Sequence, residues 1–120
     1  MSKYEIDLSC LPFKRNVKRL KKKFPNCGKD IEAIFSQLEE EAPLGTPIPL
    51  INAPVYKVRV RNTDIPKGKR SGYRLIYKFD KENKLITPSL FYFKPEKPDV
   101  SEKEIETALK SLEKSLFDEV

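Results

Sequence analysis

The stretch VYKVRVRNTDIPKGKRSGYRLIYKF, Val55 to Phe79, decides how this chain folds. Its first seven residues change side with a period of two. Tyr56, Val58 and Val60 fall on one face, and Val55, Lys57, Arg59 and Arg61 on the other. That is a half-buried strand whose first face turns to a core. Three cations stacked along the other face repel one another, and an anionic partner would relieve the repulsion. GYRLIYKF, Gly72 to Phe79, is a second strand, with Tyr73, Leu75 and Tyr77 on its core side. Arg74 shares the less apolar side with Ile76 and Lys78. The connection between the strands carries Lys67, Lys69 and Arg70, with Gly68 and Gly72 to shape the turn.

Outward from this pair, DKENK is a turn, and LITPSLFYFK, Leu85 to Lys94, is a third strand in which Tyr92 and Lys94 share a face. Pro88 inside it marks an edge, a bulge or a late start to pairing. Short turns make the three strands an antiparallel meander. Upstream, Tyr4 to Ser9 alternates like a strand. Pro12 suits a first helical turn, and Phe13, Val17, Leu20 and Phe24 then follow at helical spacing. Seven of the ten positions from Lys14 to Lys23 are basic, so the opposite face, with Lys18 and Lys22, is a cationic stripe. Pro25-Asn26 breaks this helix, and Ile31, Ile34, Phe35 and Leu38 line a second one. The two form a helical hairpin. The proline-rich segment Glu41 to Pro54 is a surface crossing. Ser101 and Glu104 make a capping-box pattern for a last helix with Ile105, Ala108, Leu109, Leu112 and Leu116 in its apolar stripe. The expected fold is α+β: one domain over residues 1–120, with a small antiparallel sheet, an N-terminal helical hairpin packed on it and a C-terminal helix.

The net charge of +6 is unevenly spread. Residues 55–98 hold 12 basic against 4 acidic groups, whereas residues 99–120 hold 3 against 7. The middle suits a polyanion, and the acidic end is expected to face away from it. There is no histidine, which removes Ser-His and Cys-His nucleophile pairs and two-histidine acid–base schemes. Two cysteines, Cys10 and Cys27, make neither a disulfide framework nor a zinc motif; they read as small buried side chains. No metal and no cofactor are expected. No apolar run approaches the roughly 20 residues of a membrane span, and the start lacks a secretory pattern, so the expected location is the cytoplasm, with no membrane partner.

Clustered cations beside tyrosines suit phosphodiester chemistry. A ribose 2′-hydroxyl attacking its own phosphate must lose a proton, the phosphorane charge must be neutralised, and the leaving oxygen must be protonated. Guanidinium forks match phosphate oxygens. A lysine or tyrosine whose pKa neighbouring cations lower can move the protons, and tyrosine can also stack on a splayed base.

The strand Lys57 to Arg61, the turn Gly68-Lys69 through Gly72-Tyr73-Arg74, the apolar Leu75 to Tyr77, Tyr92-Phe93-Lys94 and the acidic Asp99 to Ile105 together resemble the RelE/ParE superfamily of bacterial toxin–antitoxin toxins, in its RelE/HigB-like branch. The resemblance implies a ribosome-dependent mRNA endonuclease that cleaves by 2′-hydroxyl attack and is held by a cognate antitoxin. Its partners would be that antitoxin, the ribosome and mRNA. By motif position Arg59 and Arg61 would bind the RNA backbone, with Lys57, Lys67, Lys18 and Lys22 as further RNA contacts. Lys69, Arg70 and Arg74 would stabilise the transition state, and Tyr92 and Lys94 would stack on the substrate or exchange protons with it. Two other readings stand beside this one: a ParE-like topoisomerase inhibitor, and a non-catalytic nucleic-acid-binding module.

Overall fold

Period-two alternation in the middle of the chain builds the sheet, and everything else is placed by it. The computed structural model describes residues 2–49, 54–66 and 72–118, with side chains of the last helix through Leu112. In chain order the elements are β1 (Glu5–Ile6), α1 (Leu11–Lys23), α2 (Cys27–Glu41), β2 (Thr46–Pro47), β3 (Val55–Val60), β4 (Tyr73–Asp80), β5 (Leu85–Phe93) and α3 (Glu102–Asp118). The sheet order is β1-β5-β4-β3-β2. Strands β3, β4 and β5 form the expected antiparallel meander.

Two short strands extend it. β1 pairs in parallel with the start of β5, Glu5 opposite Leu85 and Ile6 opposite Ile86, so the strand expected over Tyr4 to Ser9 shrinks to two residues. The proline-rich crossing supplies β2, with Thr46 opposite Lys57 and Pro47 opposite Tyr56. Gly45 makes this approach possible. Its φ of +91° and its closeness to the Lys57 carbonyl leave no room for a Cβ. Pro88 sits at a bulge rather than at a late start to pairing. Tyr77 faces Pro88 and Ile76 faces Leu90, which leaves Ser89 as the extra residue. Past β1 the outer edge of β5 is covered by α1, where Asn16 Oδ1 accepts the Phe91 N–H at 3.0 Å.

One sheet face packs under the helical hairpin. Phe13, Leu20 and Phe24, then Ile31, Ile34 and Leu38, meet Val58, Val60, Tyr73, Leu75, Tyr77, Phe91 and Phe93. Edge-on ring pairs link Phe24 to Tyr73 and Phe93, and Phe13 to Phe91. Burying each of these side chains contributes about 1.5–3 kcal/mol.

The other face corrects the sequence reading. Val55 was expected on the solvent side and Ile76 on the less apolar face, yet they are 1% and 0% exposed. Both pack with Tyr92 against Ile105 of α3, flanked by Val100 and Leu109. The last helix therefore roofs the apolar end of this face and leaves the cationic end open. The capping box starts it as expected: Ser101 Oγ accepts the Glu104 N–H at 3.1 Å, and Glu104 Oε1 accepts the Ser101 N–H at 3.3 Å. Ala108 then reaches the first core, where its carbonyl accepts from Cys10 Sγ at 3.7 Å. Leu116, last in the expected stripe, has its side chain outside the described residues. Cys10 and Cys27 are free and buried, and burial pushes both thiols up. Among the described residues no helix is long and apolar enough to cross a membrane.

Candidate nucleic-acid interface

Strand register brings together side chains that are far apart in sequence. Arg59 lies directly opposite Arg74 across β3 and β4, and Arg74 lies opposite Tyr92 across β4 and β5. Directly opposed residues share a face, so the three form one row across the sheet. Arg61 and Lys94, just past the ends of β3 and β5, line one groove together with Arg59 and Arg74. Gly72 lies between them: its carbonyl accepts the Lys94 N–H at 3.1 Å. A Cβ at Gly72 would run into the Val60 carbonyl oxygen, so the close approach of β3 and β4 requires glycine there. A groove of about 830 Å³ beside β3 is lined by Lys57, Arg59, Arg61, Arg74 and Lys94, and by Asp30, Gln37 and Thr63.

Arg74 is the centre of the row. It is 4% exposed, and one terminal nitrogen donates to the Tyr73 carbonyl at 3.0 Å. Its other terminal nitrogen, Nη2, is buried without a hydrogen-bond partner among the described residues. Burial above all, and then Arg59, pull its pKa down, while Tyr92 opposes. A guanidinium stays charged through such a shift. The result is a buried cation facing a second arginine, an arrangement that an anion would stabilise.

Tyr92 departs from expectation. Neighbouring cations could lower the pKa of a tyrosine that moves protons, but this phenol is pushed up to about 12. Burial under α3 is the main cause, Asp99 adds to it, and Arg74 opposes without prevailing. With 4% exposure the ring also has no open face on which a base could stack. The hydroxyl donates to Asp99 Oδ1 at 3.4 Å. Tyr92 is thus a neutral phenol at ordinary pH, able to donate a proton rather than to take one.

The remaining expected residues divide. Lys57 is half-buried, with its ammonium 3.5 Å from Asp99 Oδ1. Asp99 opens the acidic final segment, so at least this part of it faces the cationic surface, contrary to expectation. Lys18 and Lys22 are exposed on α1, which packs on the opposite sheet face, so they do not join the row. Their neighbours Arg19 and Lys23 are partnered instead by Glu96, which both depress in pKa against its own desolvation. Lys67, Lys69 and Arg70, with Gly68 and Ser71, lie outside the described residues.

Sequence reasoning missed the clasp beside the groove. Asp30, buried at the start of α2, accepts the Thr63 N–H at 3.0 Å and the Thr63 hydroxyl at 2.8 Å. Asp64 accepts both the backbone N–H and the side-chain amide of Asn26, at 2.9 and 2.8 Å. Asn62 closes a tight local turn by accepting the Asp64 N–H at 2.9 Å. The run Asn62-Thr63-Asp64 begins the connection between the two strands, and nothing local signals its partners Asn26 and Asp30 at the start of α2.

No protein-family model matches this sequence, and neither does any curated protein. Among solved structures the chain is similar to the E. coli toxin RelE, in a free-state form carrying two arginine-to-alanine substitutions. The TM-score is 0.57 at 16% identity, over 92% of this chain and 98% of that one. The fold is RelE-like.

Proposed function

We propose that this chain is the toxin of a toxin–antitoxin module and acts as a metal-independent endoribonuclease on mRNA at the ribosome, in the cytoplasm. The observation that carries the reading is the buried Arg74 guanidinium, with a nitrogen that no described residue satisfies, between Arg59 and Tyr92 in one row. The RelE-like fold supports it. A phosphate seated there would accept from Arg74 and Arg59, and the charge that develops as the 2′-oxygen attacks phosphorus would be held by the same forks. The 2′-hydroxyl proton passes to solvent as its oxygen bonds to phosphorus; attack forms the 2′,3′-cyclic phosphate, breaks the bond from phosphorus to the 5′-oxygen, and leaves that oxygen needing a proton. Lys94, which lines the groove, would give it, or Tyr92, kept neutral by burial, once its hydroxyl leaves Asp99. Arg61 and Lys57 track the backbone. Lys69 and Arg70, on the connection that leaves Asn62 and returns at Gly72, add transition-state charge. A cognate antitoxin would restrain this activity.

Induced expression in bacteria with mRNA mapping tests the reading. Wild type should arrest growth with cut mRNA, and Arg74→Ala should lose both, with cleavage on purified translating ribosomes down by about 10²–10³-fold. DNA damage without mRNA cuts would point instead to topoisomerase inhibition, and harmless expression to a non-catalytic module. Unchanged cleavage by Arg74→Ala would remove the arginine row from the mechanism.

A further inference from the structure

Asp99 stands at one end of the arginine row, and its Oδ1 accepts from three donors. The Val100 N–H, at 2.9 Å, fixes the carboxylate at the approach to α3. Tyr92 OH, at 3.4 Å, and Lys57 Nζ, at 3.5 Å, are held more loosely. The side chain remains 69% exposed. The Val100 amide, and then Lys57 and Tyr92, hold its pKa below the usual carboxylate range against desolvation, so it is anionic at neutral pH. Lys57 lines both the groove that holds the arginines and a smaller one of about 420 Å³ that holds Asp99. An ammonium shared between two grooves, facing a carboxylate on one side and guanidinium groups on the other, has two places to find an anion.

We propose that Asp99 is an internal anion that competes with a polynucleotide phosphate for Lys57, so that a bound strand must displace it before that end of the cationic face is filled. This rests on the reading of the face as an RNA site. Loose contacts at 3.4 and 3.5 Å, on an exposed side chain, let the exchange proceed without unfolding α3, while the Val100 amide keeps the carboxylate close enough to return. The effect is to lower affinity for any polyanion that cannot fill the whole face, and so to discriminate against casual RNA.

The test is binding of a single-stranded 2′-O-methyl oligouridylate, which cannot be cleaved, titrated at several salt concentrations. Asp99→Asn keeps the acceptor oxygen for Val100 and removes the charge. It should tighten binding about fivefold at 0.1 M salt and steepen the slope of log affinity against log salt by about 0.7, the signature of one added phosphate contact to a single strand. In a Lys57→Gln background the same change should do nothing. Tightening that persists without Lys57 would be a general charge effect and would overturn the proposal, as would no tightening at all. The cycle failing while wild type cleaves mRNA removes only the role of Asp99. Cleavage failing while the cycle holds removes only the nuclease reading. No binding by any variant removes both.

Discussion

A buried arginine with a terminal nitrogen that no described residue satisfies is an unusual thing for a residue to be, and its cost is informative. Tyr73 and Arg74 are neighbours on one strand, both almost fully buried, yet they serve opposite ends. Tyr73 packs its ring among Phe24, Phe91 and Phe93, where alternation predicted it. Arg74 points to the other face and gains one hydrogen bond, to the Tyr73 carbonyl, while standing opposite Arg59. Desolvation and a like charge both oppose it in the free protein. If the residue is kept for an anion, removing its charge should help the fold. Arg74→Met keeps the length and drops the charge, and it should raise stability by about 1–2 kcal/mol, read as a higher urea midpoint with an unchanged slope. The same variant should bind oligonucleotide more weakly than wild type. A lowered midpoint would mean that Arg74 holds the sheet together, and its place in a site would lose this support.

At the scale of elements, local spacing was enough for what repeats locally. Phe13, Val17, Leu20 and Phe24 announced α1, and the alternations around Val58, Leu75 and Phe91 announced the meander, because a side chain's face follows from its period. What failed to show depends on partners remote in sequence. Val55 looked solvent-facing, and Ile76 looked out of place on a less apolar face, because nothing nearby reveals that α3 returns over them. The parallel pairing of β1 with β5 joins segments some eighty residues apart, and Asn16 covers the Phe91 N–H across a similar separation. The clasp from α2 to the segment after β3 belongs to this class, and it fixes where the connection toward Lys67 departs. Replacing Asp30 with Ala strands the Thr63 N–H and hydroxyl, and should cost about 1–3 kcal/mol. Faster amide exchange at Thr63, with exchange in the centre of β4 unchanged, would locate the loss there. Thr63→Val, which removes only the hydroxyl and keeps the backbone donor, should cost less. Equal losses would mean that the backbone bond contributes nothing.

For the whole molecule, charge and burial have to be read together. Composition alone exposed the cationic middle and the missing histidine, and the motif spacing pointed to Arg59, Arg61, Arg74, Tyr92 and Lys94. Their convergence rests on the β3–β4–β5 register, and the buried state of Tyr92 on α3, neither of which a linear pattern contains. That burial has a thermodynamic signature. Tyr92 and Tyr77 are both pushed up to about 12, chiefly by desolvation, and the Tyr77 hydroxyl also donates to the Leu44 carbonyl at 2.6 Å. In the unfolded chain both titrate near 10. A raised pKa means that the folded state keeps its proton longer, so the stabilisation is whole below about pH 10 and is lost as pH climbs toward 12. Each phenol should account for about 2–3 kcal/mol of that loss. Lysines titrate in the same range, so the comparison that isolates one phenol is wild type against Tyr92→Phe. Urea midpoints followed from pH 8 to 12 should converge, with wild type falling more steeply by the share of one tyrosine. Parallel curves would show that Tyr92 ionises as easily in the folded protein as in the unfolded chain. Its hydroxyl would then be open to solvent, and the roof that α3 makes over the row would not be closed.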